Sequence, residues 1–507
     1  MRGTRAGAPM DQLLLFLVAV AAGPPALAEG PAPPIPSPFS VADLCVGEST
    51  NVVMADGRSI GVRLINIDER RCDLRGAVRR AEVTVEVAGV RATLVSATYH
   101  LPVTVGDVQV DCPVTRGYTE GFSKDNVWAL DKDARLRLWP AGAPWIQPGT
   151  FRCPLEQRLF ATDTQMGNDP CYVNACDIPG EKKVYYHYGL DFGGAEGMER
   201  VAAATDGIVV SRAGAVTDGD HPPTVKPRAD VVYLRDDRGW YYRYSHLMSV
   251  DPALQLGARV PMGSPIGVLG KEGGSGGWSH LHFDIVMPQP SGRYGITDGY
   301  AFVFDAYRRT HGPKIIAVAR PHVAAWAGEE VGLDGSRSWH AGGPDKIRAY
   351  EWRFTDGGSG EGAVVRRTYA RPGHYTEVLK VSDDAGNLDY DFAVVQVFDR
   401  GQPKPVPPAI HAVYWPTLGI RPGTEITFKV RTFGVRPDEG METWDFGDGS
   451  APVRTRSDGN ANQHAPDGYA VTTHRYARPG HYIVSVSRAD DRGRAATGRL
   501  HVEVGAD

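Results

Sequence analysis

The chain has no basic block and no second long apolar run. Its 55 lysines and arginines and 60 aspartates and glutamates are mixed along the length, for a formal net charge of −5. That speaks against a nucleic-acid partner. The one long apolar stretch, residues 13–22, follows Arg2 and Arg5 and precedes Ala26-Leu27-Ala28. This is the layout of a secretory signal peptide over residues 1–28, too short to span a bilayer as a mature helix. The expected protein is exported, secreted or held in the periplasm or cell envelope, with no stable membrane span after cleavage. Cysteine is scarce: Cys45, Cys72, Cys112, Cys153, Cys171 and Cys176 are the six, with no Cys-x-x-Cys pair. That disfavours a thiolate zinc site, while an even count in an exported chain is compatible with disulfides, and Cys171 and Cys176 are spaced to close a small loop. No His-Glu-x-x-His and no phosphate-binding loop occurs. Residues 273–277 spell Gly-x-Ser-x-Gly without the strand-turn-helix context of a nucleophile elbow.

What is present concentrates in Gly276-Gly277-Trp278-Ser279-His280-Leu281-His282-Phe283-Asp284. Side chains two apart on a strand share a face. His280, His282 and Asp284 are therefore expected on a solvent-facing side, and Leu281, Phe283 and Ile285 toward a core. Imidazole is the commonest side chain for holding zinc. Upstream, His187-Tyr188-Gly189-Leu190-Asp191 returns a histidine and a carboxylate to one face of an extended segment. Residues 231–234, the Asp236-Asp237-Arg238-Gly239 turn and the aromatic run from Trp240 read as a hairpin leading to His246.

The ordered set of His-x-x-x-Asp, Tyr-x-His-Leu and His-Leu-His-Phe motifs resembles the lysostaphin-type (LytM) zinc endopeptidases, over roughly residues 175–290 and through the segments 204–210 and 263–270. The resemblance implies one zinc per chain held by His187, Asp191 and His282. It leaves His246 and His280 as the non-ligand histidines that take the proton of water or hydrogen-bond the developing oxyanion, and the sequence does not say which does which. The implied activity is hydrolysis of peptide bonds, foremost in peptidoglycan cross-links or stem peptides. Asp284 stands where the family usually has glutamate. A Pro- and Asp-rich insertion, residues 214–230, is expected as a loop at the groove edge, with His221 in it solvated. Two other classes remain open: a catalytically silent wall-binding or hydrolase-activating protein, and an adhesin working through C-terminal repeats. Occupation of all five site positions favours the enzyme.

The expected fold class is all-β, mainly antiparallel, in several domains. A Pro/Ala-rich leader (29–40) precedes a β-rich domain of unknown function (41–150), the peptidase domain (151–312) and two repeats (313–400 and 401–507). Residues 369–375 recur letter for letter at 476–482, and Asp383-Asp384-x-Gly386 recurs as Asp490-Asp491-x-Gly493, which signals a duplicated unit. The second copy, with Trp444-Asp445-Phe446-Gly447-Asp448-Gly449, resembles the polycystic-kidney-disease (PKD) type of immunoglobulin-like domain. The first departs at Arg353 and Thr355, and the second carries an insertion around residues 455–470. Pro-Gly suits a type II turn, the Asp-rich segments read as turns rather than calcium sites, and Trp and Phe two apart share an inner sandwich face. The repeats are read as two small sandwiches in a tethering role that leaves the zinc site unchanged, with polysaccharide, protein or plain spacing all open as what they serve.

Overall fold

The computed structural model describes residues 35–119, 126–170, 186–219, 222 and 225–506. The expected signal peptide, most of the expected leader, Cys171, Cys176 and His221 lie outside them. Apart from one helix, the described elements are strands and short 3-10 turns in mainly antiparallel sheets. The all-β expectation holds. No described helix is long and apolar enough to cross a membrane.

Between Ser40 and Pro140 two four-stranded sheets face each other across a valine-rich core. Alternation builds it: along Val78–Val87, Ala81, Val83, Val85 and Val87 are buried while Glu82, Thr84 and Glu86 turn away. One edge is fastened to the next domain. Arg137 is buried, pairs with Asp111 (3.0 Å) and donates to the Asp298 carbonyl (2.5 Å). Phe39 packs on Trp139 and Phe302, with ring centres 5.1 and 5.5 Å away. Cys45, Cys72, Cys112 and Cys153 are all free, so the disulfide expectation fails at these four positions. Burial pushes the Cys112 and Cys153 thiols up to about 12.

The next domain is organised by a nine-stranded sheet. Strands β1 (Thr164–Gln165), β2 (Leu190–Gly193), β3 (Gly207–Arg212), β4 (Val232–Arg235), β5 (Tyr241–Ser245) and β6 (His280–Pro288) lie in the spatial order β3-β4-β5-β6-β2-β1. The predicted hairpin is β4–β5. From β6, Leu281, Phe283 and Ile285 enter the core, together with Ile266 and Leu269 of a smaller three-stranded sheet and Phe302 of helix α1 (Tyr300–His311). The helix was not signalled in the sequence. Every residue from Tyr300 to Tyr307 is buried, so no amphipathic stripe marks it. It ends at Gly312, whose φ of 58° supplies the left-handed cap.

The opposite face of β6, expected in solvent, is covered. His280, His282 and Asp284 are only 2%, 6% and 2% exposed.

The two repeats share internal chemistry. Trp352 and Phe354, and likewise Trp444 and Phe446, are buried in their respective cores. Tyr375 Oη donates to the Arg371 carbonyl (2.8 Å) as Tyr482 Oη does to Arg478 (2.9 Å). Asp383 Oδ1 accepts from the Ala385 and Asn387 N–H groups, and Asp490 Oδ1 from those of Arg492 and Arg494. These aspartates are occupied as turn residues. One expectation fails. The Pro-Gly pairs are not type II turns: Gly373 has no positive φ and Gly480 sits at 154°, far from the roughly +80° that turn requires. The two copies are also joined edge to edge. Gly373–Asp383 pairs in parallel with Ala495–Val504 at His374 and Ala496, joining both repeats into one nine-stranded sheet.

Candidate metal centre and active site

Strand β6 runs between β2 and β5, and directly opposed residues of antiparallel strands share a face. The register sets Asp191 opposite His282 and Gly193 opposite His280. His187 precedes β2 in a turn, its N–H donating to the Asp169 carbonyl (2.7 Å) and its own carbonyl accepting from Asn168 (2.8 Å). Gly189, with φ 87°, joins it to β2. A Cβ there would stand 2.9 Å from both Asp284 Cβ and the Phe283 carbonyl oxygen.

Three predicted ligands converge. His187 Nε2 is 3.1 Å from Asp191 Oδ1 and 3.1 Å from His282 Nδ1, and His282 Nδ1 is 2.8 Å from Asp191 Oδ1. Among the described residues these three form the one group placed to share a metal ion. The far nitrogens are engaged: His187 Nδ1 is 3.2 Å from the Met166 carbonyl, and His282 Nε2 is 3.1 Å from Asp284 Oδ2. Carbonyl and carboxylate oxygens accept, so each ring's proton belongs on that far nitrogen. His187 Nε2 and His282 Nδ1 then meet Asp191 as bare lone pairs. Three buried acceptors this close call for a cation among them, and two imidazoles with one carboxylate match the donor set of zinc. Asp284 therefore matters although it is no ligand. It fixes the His282 tautomer and is itself held by Arg243 Nη1 at 3.3 Å.

His246 and His280 join this group. Their ring centres are 4.6 Å apart, and His246 is 6.0 Å from His282. His246 Nδ1 lies 2.6 Å from the Glu272 carbonyl and its backbone N–H donates to Asp230 Oδ2 at 3.1 Å. Its φ is 67°. His280 Nδ1 is 3.1 Å from the Trp278 carbonyl, the Trp278 ring stacks on it at 4.0 Å, and its Nε2 is 3.4 Å from Asp191 Oδ2. His246 is thus oriented with Nδ1–H on a carbonyl and Nε2 bare, whereas His280 has an oxygen acceptor at each nitrogen. Residues 228–230, the end of the predicted loop insertion, abut His246 through Asp230. Ser275 is buried and its hydroxyl is spent on the Lys271 carbonyl and the Gly277 N–H, in line with its exclusion as a nucleophile.

The electrostatics follow from burial and crowding. Burial works against charge on Asp191, but His187, His280 and His282 outweigh it and hold the carboxyl well below its usual range. Burial likewise opposes a charged His282, and Asp191 and Asp284 overcome it to raise this imidazole. His280 is lowered to about 4 by burial, against the pull of Asp191. Burial, with His280 and His282 adding, holds His246 well below its ordinary value. His246 and His280 are neutral at neutral pH.

The hold of the second repeat on the segment entering β6 was missed in the sequence. Tyr469 Oη accepts the Ser279 N–H at 2.8 Å and lies 2.8 Å from His411 Nδ1. Asn460 Nδ2 donates to the Gly276 carbonyl at 3.1 Å. Buried Arg431 donates to the Gly277 carbonyl (2.6 Å) while gripping Asp458 (2.8 and 2.6 Å). Most of these residues lie in the second repeat's insertion, whose presence was the only available signal. The second repeat therefore reaches the segment that leads into the site.

Residues 185–291 match the model of Peptidase family M23, and residues 312–397 and 412–504 match models of the PKD domain. The chain carries an M23 peptidase domain followed by two PKD-type domains. Among solved structures it is similar to the catalytic domain of the antimicrobial peptidase lysostaphin from Staphylococcus simulans, at 23% identity over 28% of this chain and 91% of that one, TM-score 0.20. It is similar to the catalytic domain of the prophage-encoded M23 protein EnpA from Enterococcus faecalis, at 18% identity over 28% and 92%, TM-score 0.19. A third likeness is to Csd3 from Helicobacter pylori, at 17% identity over 46% and 54%, TM-score 0.19.

Proposed function

We propose that this protein is an exported zinc metalloendopeptidase that hydrolyses peptide bonds, foremost in peptidoglycan cross-links or stem peptides. The observation that carries the reading is the triangle of His187 Nε2, Asp191 Oδ1 and His282 Nδ1, whose far nitrogens are already committed to acceptors. These three residues would hold one ion per chain. Zinc, when bound, lowers the pKa of water and polarises a carbonyl. His246, neutral and with Nε2 bare, or the neutral His280 takes the proton of the attacking water or, once protonated, hydrogen-bonds the oxyanion and protonates the leaving amine. The Glu272 carbonyl keeps the His246 ring in its tautomer. Completeness of the set favours an enzyme over a silent wall-binding relative. The signal peptide supports export, and the PKD domains are surfaces for polysaccharide or protein.

Metal analysis and kinetics test this together. The purified protein should carry about one zinc per chain. Asp191→Ala and His187→Ala should lose both metal and activity. His246→Ala should keep the metal while turnover falls roughly a hundredfold or more. Full zinc occupancy in either ligand variant, or near-normal turnover in His246→Ala, sinks the assignment. Mass spectrometry of fragments released from purified walls identifies the bond cut.

A further inference from the structure

His246 is the single residue between strand β5 and the next strand, Leu247–Val250, which belongs to the smaller three-stranded sheet. The chain changes sheets at this point, and the φ of 67° is the bend that lets it do so. Asp230 holds that bend. The β4–β5 register pairs Val232 with Tyr244, so two residues further out Asp230 comes to lie across from His246. No ladder forms there. Instead Asp230 Oδ2 takes the His246 N–H (3.1 Å) and the Asp230 carbonyl takes the Leu247 N–H (3.2 Å). The two amides that flank the His246 Cα are thereby tied to one residue.

The same carboxylate also reaches the ring. Arg228 grips both of its oxygens, Nε on Oδ1 at 2.9 Å and Nη2 on Oδ2. Burial opposes a charge on Asp230, but Arg228 and the His246 N–H outweigh it and hold the carboxyl below its usual range. Gly273 lies flat against this pair: a Cβ there would stand 2.5 Å from Arg228 Nη2 and 2.8 Å from Asp230 Oδ2. The residue before it, Glu272, supplies the carbonyl that His246 Nδ1 meets at 2.6 Å. One residue earlier still, Lys271 is fully buried and paired with Glu196, which fixes the other end of the loop. Backbone and ring of His246 thus depend on Asp230 by two routes.

We propose that Asp230, steadied by Arg228, is the positioning residue of His246 and fixes where Nε2 points. It acts through the ring and not on the substrate. The proposal rests on the peptidase reading and deepens it, making the end of the 214–230 insertion part of the proton-transfer apparatus. A reacting group displaced by about 1 Å can cost about a hundredfold in rate.

The test is a double-mutant cycle on the zinc-loaded full-length protein with a soluble cross-link peptide, read as kcat per bound zinc. Asp230→Ala should lower kcat about tenfold or more, with KM within about twofold. Asp230→Asn, which keeps an oxygen for the His246 N–H, should stay within about threefold of wild type. Added to His246→Ala, Asp230→Ala should cost less than about twofold more, because the group it positions is already gone. Wild-type kcat in Asp230→Ala, an Asp230→Asn enzyme as slow as Asp230→Ala, or a full further loss in the His246→Ala background would each overturn the proposal. Arg228→Ala, whose lost side chain is 37% exposed, replaces Asp230→Ala in the cycle if that variant does not fold; it should slow wild type and leave His246→Ala unchanged. A second readout needs no turnover. With 15N-labelled histidine, the His246 Nδ1–H, assigned by its absence in His246→Ala, should exchange slowly in wild type and in Asp230→Asn and be lost in Asp230→Ala. Its persistence in Asp230→Ala sinks the proposal even if no peptide is cut, whereas failure of the peptidase reading shows as absent zinc and absent hydrolysis.

Discussion

Inside, the two PKD domains are built alike: Tyr375 and Tyr482 reach back to the carbonyl four residues earlier, and Asp383 and Asp490 close the same turn. Outside, they differ at one connection. In the first domain two residues link Ser359–Glu361 to Val364–Thr368, whereas in the second fourteen residues, 456–469, link Val453–Thr455 to Ala470–His474. That longer loop carries Asp458, Asn460 and Tyr469 onto the segment that leads into β6. The first domain meets the peptidase through ion pairs instead, including Arg158 with Asp389, and through Arg320, which bonds both Thr164 and Asp391. Duplication copied a core, and a loop gave one copy its place beside the chemistry.

The largest contrast should come from the arginines. Arg431→Ala leaves the Gly277 carbonyl without its donor and Asp458 with only the Asn460 N–H. The expected loss is on the order of 3 kcal/mol, with turnover on a soluble peptide about tenfold lower. Arg367→Ala in the first domain removes a pair whose Asp356 partner is 63% exposed and should cost under about 1 kcal/mol. Denaturant unfolding of both variants decides, and equal losses would break the comparison.

In each domain burial lowers one histidine, His374 in the first and His411 in the second, to about 4. Unfolding returns them toward the ordinary value of about 6.5, so the unfolded chain binds more protons between these limits. Their contribution is complete above about pH 6.5 and is lost as the pH falls toward 4, by about 2 kcal/mol for each at pH 5. Melting temperatures from pH 8 to 4.5 should show the decline. His374→Gln should flatten part of it, and an unchanged slope would refute the assignment.

Tyr469→Phe strips the Ser279 N–H of its acceptor and should cost about 1–2 kcal/mol. Zinc content should hold while turnover drops a few-fold, because the strand bearing His280 begins there. Normal kinetics would mean that the clamp is only structural. Smallest are Tyr375→Phe and Tyr482→Phe, each below about 1 kcal/mol and equal within error. A clear inequality would show that the shared motif serves the two domains differently.

The five candidate site residues were legible because their signals are local. Two histidines at strand spacing, a histidine and carboxylate four apart, and a hairpin ending in His246 need only the period of an extended chain. The Trp-x-Phe pairs and repeated turns were readable for the same reason. What was not legible depends on distant partners. Tyr469 meets Ser279 across 190 positions and Arg431 meets Gly277 across 154, so nothing near β6 announces that the segment entering it is held by the second repeat. The shared sheet rests on one bridge between His374 and Ala496. Helix α1 escaped because it is buried on all sides over its first two turns. Asp284 was noted as a departure, yet its hold on His282 appears only when the rings are placed.

His246 stands at a φ of 67°, in a region where a β-carbon costs about 1 kcal/mol or more. The chain gives up that stability at the very residue whose ring is proposed to move the proton. His246→Ala deletes the ring and keeps the strain, whereas His246→Gly deletes both. The two variants should be equally slow, yet the glycine form should be the harder to unfold. Each leaves a slot beside Glu272 into which free imidazole from the buffer can settle, so chemical rescue would measure what the ring contributes apart from its backbone.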